Sequence, residues 1–194
     1  MPSDVETLLK KHDAIQTGHF VLASGNHSEH YVQTAQLMQY PAVVDNLLKS
    51  ELPNMEWDRT PDTILTAATG GITFAQQVGL RLEKKTIFAE RSDDNELVLE
   101  RGFRLSEDEA VLLVEDVVTT GGTLEELKEL AEHRGADLVG VLSMINRSDL
   151  RTFHNAIFHA LLDVDYPIYD PDQCPLCENG RERTRPGTKD VMSE

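Results

Sequence analysis

The stretch VLLVEDVVTTGGT, residues 111–123, decides how this chain is read. Its first four residues are apolar and lack the alternation of a half-exposed strand. They read as a strand buried on both faces. Glu115 and Asp116 then stand side by side where that strand ends. Two adjacent carboxylates in such a place cost desolvation unless they are paired, hydrated or used. After Val117 and Val118 comes Thr119-Thr120-Gly121-Gly122-Thr123. The glycines let the main chain turn tightly and approach a ligand with no Cβ in the way. The helix that starts here offers its first N–H groups to an anion, and the threonine hydroxyls add donors. Thr123 with Glu126 reads as a capping box at that helix start. On these residues alone the turn is either a phosphate cradle or a plain strand–turn–helix connection. It is not a Walker loop, because no Gly-Lys-Ser/Thr follows.

Working outward, the neighbouring segments repeat the same texture. TILTAA (63–68) reads as a strand, TGG as a turn and ITFAQQVGLRLEK (72–84) as an amphipathic helix. TIFAE (86–90) is a further strand, GTLEELKELAEHRG (122–135) a helix and ADLVGVLSMIN (136–146) a strand. Helices alternate with continuously apolar strands, the mark of an α/β protein with a mainly parallel sheet covered on both faces. Ligands in such sheets meet the C-terminal strand ends, and two of those ends carry Gly-rich turns, TAATGGIT and EDVVTTGGT.

Upstream, Ser3 and Glu6 form a capping box for a first helix with a Val5, Leu8 and Leu9 stripe. GHFVLASGNHSEHYVQ predicts a hairpin around a Ser24-Gly25 turn, and Pro41 starts a second helix running to about residue 50. Residues 91–109 are long, charged and poor in core residues, which predicts a lid or mobile hairpin. Asp93-Asp94 and Glu107-Asp108-Glu109 read as solvated loop charge. The tail from residue 166 is rich in Pro, Gly and charge and is expected to be extended.

Composition narrows the function. A chain of 194 residues with 40% hydrophobic content suits one globular domain spanning 1–194. Within it, 1–40 would form a small N-terminal hood, 60–165 the core sheet and 166–194 the tail. The balance of 34 acidic against 18 basic residues, a net charge of -16, argues against a nucleic-acid surface. Any anionic ligand needs a local positive site against that field. No apolar run reaches the ~18 residues that span a membrane. MPSDVETLLKKHDAI carries early acids and no apolar core, unlike a secretory signal, so a cytoplasmic protein is expected.

The two cysteines, Cys174 and Cys177, lie in DQCPLCENG. C-x-x-C is either half of a metal site, a redox pair, or two ordinary thiols around Pro175. Zinc takes four ligands, and no second cysteine pair or later histidine follows. His19, His27 and His30 have no helix or finger spacing and read as surface or pocket-lining. His12, His133, His154 and His159 read as structural or exposed.

VLLVEDVVTTGGT resembles the signature for 5-phosphoribosyl 1-diphosphate (PRPP) in the type I phosphoribosyltransferases: four hydrophobics, two acids, two further residues and a Thr/Gly loop. The rest of the chain resembles the orotate branch of that family. GHFVLASGNHSEHYVQ is similar to its N-terminal signature, TAATGGITFA to its pyrophosphate loop and FAERSDDNELVLERGF to its mobile catalytic loop. SMINRS is similar to the strand end whose arginine meets the orotate carboxylate. YDPDQCPLCENG followed by RPGT resembles the tail of a bacterial branch.

The resemblance implies the type I fold with a small N-terminal hood and a mobile hairpin loop. It also implies transfer of the phosphoribosyl group from PRPP to orotate, with release of pyrophosphate. PRPP would be held by Glu115, Asp116, Val117, Val118, Thr119, Thr120, Gly121, Gly122 and Thr123, with the acids on the ribose hydroxyls, and by Gly70 and Gly71. Orotate would meet Ser24, Gly25, Thr119 and Arg147. Arg91, Arg101 and Asp116 would be the catalytic groups, with Mg²⁺ bound through PRPP and no fixed protein ligand. A homodimer with the loop shared between subunits is implied, with no nucleic-acid or membrane partner.

Several positions depart from the family pattern. Ala23 stands where many orotate enzymes have lysine, and Gly70 where many have another. The loop has Glu90-Arg91 at its start, Arg101 and Arg104 later, and no histidine. Two other readings share the fold: a non-catalytic regulator that binds PRPP or a nucleobase, and a transferase for another base. A generic Rossmann binder is disfavoured, because no G-x-G-x-x-G follows the first strand.

Overall fold

The structure is a computed structural model that describes residues 4–22 and 24–186. Ser3, Ala23 and the Gly187-Thr188 part of the RPGT segment lie outside the described residues.

The chain opens with helix α1 (Asp4–Lys11), then strands β1 (Ile15–Val21) and β2 (His27–Val32), which form the expected antiparallel hairpin. A short α2 (Ala35–Met38) precedes α3 (Pro41–Glu51), which begins at Pro41 as expected. The αβ core follows: β3 (Thr63–Ala67), α4 (Gly70–Leu82), β4 (Lys85–Arg91), β5 (Leu97–Val98), β6 (Ala110–Val118), α5 (Gly122–Glu132) and β7 (Asp137–Asn146). Strands β8 (Thr152–Phe153), β9 (Ala156–Asp163) and β10 (Ile168–Tyr169) precede a final turn of helix, α6 (Pro175–Glu178). The core sheet has seven strands in the order β5-β4-β3-β6-β7-β9-β8. Its five inner strands run parallel, and the short edge strands β5 and β8 are antiparallel to their neighbours. This is the α/β class with a mainly parallel sheet that the apolar runs implied.

β6 shows why. Its first five residues are all buried, and alternate side chains enter different cores. Leu112 and Val114 join Phe74, Ala75 and Val78 of α4 on one face. Val111 and Leu113 join Leu124, Leu127 and Ala131 of α5 on the other. A strand sandwiched in this way must be apolar throughout, and polarity returns only where it leaves the sheet.

Three expectations need correction. The helix after the Thr/Gly turn begins two residues earlier than the capping box requires: Gly121, not Thr123, occupies the N-cap with φ 85°, and Thr123 is already inside α5. Glycine adopts this left-handed geometry without the Cβ clash other residues meet. No side chain caps that helix. Glu109 is more than solvated charge. It accepts from the Thr63 hydroxyl, from Lys85 Nζ at 2.5 Å and from the Ser106 N–H at 2.7 Å. The tail, finally, is no extended arm over residues 166–186. β10 pairs with β2 to make a three-stranded hood sheet, and Thr184 bridges to Phe20.

The 91–109 segment folds back as a hairpin. β5 pairs with β4 through Glu90↔Val98 and Arg91↔Leu97. Leu97 and Leu105 are buried, and Phe103 meets Phe88 edge-on at 5.1 Å between ring centroids. Among the described residues, no helix is long and apolar enough to cross a membrane.

Candidate active site

The C-terminal ends of β3, β6 and β7 lie side by side, because their register pairs Leu65 with Leu113 and Val118 with Asn146. The two Gly-rich turns and Arg147 therefore share one edge of the sheet. Val117, Val118, Thr119, Thr120, Gly121, Gly122 and Thr123 line a small concavity closed on one side by Glu115. The Arg147 N–H donates to the Val118 carbonyl at 2.7 Å, which sets this residue directly beside the turn.

The paired acids diverge. Glu115 is only 7% exposed and faces inward. Its Oε1 accepts from the Ala67 N–H at 3.3 Å and the Thr66 hydroxyl at 3.5 Å. Burial, together with the neighbouring Asp116 charge, pushes its pKa up to about 7. Asp116 is half-buried on the α4 side. Thr34 Oγ1 donates to its Oδ2 at 2.6 Å. A Cβ on Gly70 would stand 3.1 Å from both carboxylate oxygens, so a larger residue there would crowd Asp116 and press on its carboxylate. At Gly71 a Cβ would fall 2.1 Å from Thr66 Oγ1, which no shift of a buried threonine readily accommodates. The Ala68–Thr69 peptide in this second turn is cis. Alternation along β6 accounts for the divergence, since successive side chains point to opposite faces.

Arg147 is half-buried, and desolvation lowers its pKa. Its Cζ lies 6.0 Å from the Tyr166 ring centroid, and that ring stacks on His30 at 4.1 Å and 10°. No carboxylate among the described residues pairs with this guanidinium. Tyr166 Oη and His30 Nδ1 are buried polar atoms without a hydrogen-bond partner. Ser24 and Gly25 sit at the exposed hairpin tip, where Gly25 has φ 87°.

Arg91 and Arg101 are placed differently. Arg91 makes a two-pronged pair with Glu126 of α5, with Nη2 to Oε1 at 3.1 Å, and donates to the Asn95 carbonyl at 2.8 Å. Arg101 grips Glu90 through Nε at 2.6 Å and Nη2 at 2.8 Å. Neither lines the phosphate turn. Sequence reasoning missed Thr34 and Tyr166, and it read His30 as a surface or pocket-lining residue without its stacking partner. Each comes from a segment remote in the chain, and none carries a motif of its own.

A buried strand that ends in two acids, feeds a glycine turn at a helix start and has a second glycine turn alongside is an arrangement suited to a phosphorylated sugar. Comparisons agree. The phosphoribosyl transferase domain family matches residues 33–168. Curated relatives named orotate phosphoribosyltransferase include one from Thermotoga maritima, 38% identical and covering 95% of this chain and 98% of its own. Another, from Desulforamulus reducens, is 36% identical over 97% of both chains. The chain belongs to the phosphoribosyltransferase family and, within it, to the orotate phosphoribosyltransferases. Among solved structures, orotate phosphoribosyltransferase from Aeropyrum pernix superposes with a TM-score of 0.66 at 23% identity, covering 81% of this chain and 92% of that one. Adenine phosphoribosyltransferase from Leishmania tarentolae gives 0.61 at 18% identity, covering 84% and 88%. At these identities the structures speak for the fold alone.

Proposed function

We propose that this protein transfers the 5-phosphoribosyl group of PRPP to orotate, giving orotidine 5′-monophosphate and pyrophosphate. The observation that carries the choice of base is Arg147: a half-buried guanidinium beside the phosphate turn, with no carboxylate among the described residues paired to it. An uncompensated buried cation is costly, and a carboxylate-bearing base would complete it with a bidentate pair. Adenine and uracil carry no such group.

In this reading residues 119–123 hold the 5-phosphate on the N–H groups at the start of α5. Asp116, with one oxygen on Thr34, offers the other to the ribose hydroxyls, and Glu115 closes the same end of the pocket. Gly70 and Gly71 let the second turn approach the pyrophosphate. Ser24, Gly25 and Thr119 border the base. Transfer at C1′ through an oxocarbenium-like state needs no protein nucleophile, so the residues act by positioning and charge. Of the hairpin's cations, Arg91 and Arg101 would reach the leaving group by exchanging Glu126 and Glu90 for it.

Mg²⁺ would be bound through the phosphate oxygens of PRPP, with no fixed protein ligand, and when bound it neutralises charge on the departing pyrophosphate. We further propose a cytoplasmic homodimer in which the exposed hairpin serves the neighbouring site.

The test is pyrophosphate release from PRPP and Mg²⁺ with orotate, adenine or uracil. Release with orotate alone is expected. Release with another base but not orotate would reassign the acceptor. PRPP binding without turnover on any base would make the protein a regulator.

A further inference from the structure

Four metal-ligating side chains meet away from the phosphate turn, at the junction of hood and tail. His19 lies on β1, in the irregular stretch between Thr17 and Phe20, and His27 opens β2 across the hairpin. Cys174 and Cys177 come from the tail, flanking the start of α6. His19 Nε2 lies 3.0 Å from His27 Nδ1, 3.7 Å from Cys174 Sγ and 3.7 Å from Cys177 Sγ. Cys177 Sγ is 3.3 Å from His27 Nδ1, and all four ligating atoms fall within 4.8 Å of one another. A tetrahedron with metal–nitrogen bonds of about 2.0–2.1 Å and metal–sulfur bonds of about 2.3 Å has edges of roughly 3.3–3.8 Å. The four separations of 3.0, 3.3, 3.7 and 3.7 Å lie close to that range, and the remaining ones extend no further than 4.8 Å.

We propose that His19, His27, Cys174 and Cys177 hold one structural Zn²⁺ that fastens the tail to the hood hairpin. Three of the four are nearly inaccessible: His19 is 2% exposed, His27 3% and Cys174 1%. The His19 tautomer is fixed from outside, because Nδ1–H donates to the Arg181 carbonyl at 2.9 Å. Neutral His19 therefore turns a lone pair on Nε2 toward the other three groups. One proton could satisfy one of those contacts, whereas a cation at the centre satisfies all of them at once. The hydrogen bond from Nδ1 to a backbone carbonyl is the outer support that metal-bound histidines usually have. Arg183 Nη2 lies 3.3 Å from Cys177 Sγ and would offset thiolate charge from the outer side. Two sulfurs and two imidazoles in a closed, buried tetrahedron suit Zn²⁺, not the oxygen-seeking Mg²⁺.

This site stands apart from the proposed reaction, and its consequence is mechanical. Without a metal, the contacts that hold the tail include two β10–β2 pairs, the Thr184 bridge, the His19–Arg181 hydrogen bond and the exposed Arg181–Glu29 ion pair at 2.6 Å. The metal would close a covalent-like link between residues 155 apart in sequence, His19 and Cys174. It would also anchor the tail whose Tyr166 stacks on His30 beside Arg147.

The test is metal analysis of the full chain, purified under reducing conditions without a metal-affinity step. About one zinc per chain is expected, lost in Cys177→Ser and in His27→Ala. Zinc that remains stoichiometric in both variants would place the metal elsewhere and overturn the assignment. If the variants fail to fold, the parent chain decides by exchange with Co²⁺. Thiolate-to-cobalt charge transfer with the intense visible bands of tetrahedral cobalt supports the site. An octahedral spectrum without charge transfer, no uptake, or a Cys174–Cys177 disulfide in the reduced preparation overturns it. Chelation should lower Tm, and Zn²⁺ but not Mg²⁺ should restore it.

Discussion

The two ends of the proposed PRPP site are built on opposite plans. At the ribose-phosphate end, the binding groups are extensions of the core. Asp116 and the 119–123 turn continue a strand buried on both faces, and Gly70, Gly71, Thr34 and Thr66 fit around them with no spare space. At the pyrophosphate end, the two candidate cations sit on an exposed hairpin, each held by a carboxylate of the protein itself. A preformed cradle suits a part of the ligand that does not change during transfer. Charges that must meet a departing group gain from being movable, because they can close on it and exclude water.

The sharpest way to break this contrast is Arg101→Ala. Loss of a charge that stabilises the leaving group in the closed site costs about a hundredfold in kcat. PRPP binding, measured without orotate, should change far less. Unchanged kcat would remove Arg101 from the reaction.

Glu115 tests the rigid end through pH. Its folded pKa is raised from the ordinary carboxylate value to about 7. Between pH ~4.5 and ~7 the unfolded chain has lost a proton that the folded chain keeps, so stability falls as pH rises through that window. The full effect is on the order of 3 kcal/mol by pH 8. Glu115→Gln should remove this contribution to the slope, leaving a variant more stable than its parent at pH 8 and similar at pH 4. Denaturant midpoints across that range measure it. An unchanged slope would assign the titration to another group. The variant should also bind PRPP more weakly, so that the stability gain and the binding loss separate.

Asp116→Asn asks less of the fold. Asparagine keeps the shape that Gly70 requires and still accepts from Thr34. Hydrogen bonds to a charged group are worth about 1.5–3 kcal/mol, so PRPP affinity should fall roughly ten- to a hundredfold with Tm nearly constant. Full affinity by calorimetry would count against its place on the ribose.

The contrast also marks what could be read from the chain. Val111 to Val114 declare a two-faced buried strand because no other environment tolerates that run. The turn residues are likewise legible, since Gly121 answers a local demand of the backbone. The divergence of Glu115 and Asp116 follows from strand alternation, but their partners Thr34, Thr66 and Ala67 do not. Those contacts depend on which strands become neighbours. His19 and His27 read as surface or pocket residues because their spacing matches no local metal pattern. Their ligand partners Cys174 and Cys177 lie some 150 residues away and are brought to them by the docking of the tail on the hood, in which β10 pairs with β2. Local geometry writes itself into adjacent residues, whereas a site assembled across the fold leaves only isolated residue types. The ion pairs of Arg91 and Arg101 were equally invisible, since Glu126 and Glu90 carry no pattern that marks them as partners.

Those ion pairs give the smallest expected effect and the finest test. Exposed pairs contribute about 0–1 kcal/mol, so Glu126→Gln should barely move Tm. If Glu126 holds Arg91 away from the pyrophosphate, the variant should bind PRPP several-fold more tightly, within the range that such a pair allows. Removing a negative charge near the start of α5 would also favour a phosphate through the field alone. A double-mutant cycle separates the two causes. In an Arg91→Ala background, release has no arginine to act on, and the gain from Glu126→Gln should vanish. A gain that persists there is electrostatic, and Arg91 is then a structural partner of α5 with no share in the movable end of the site.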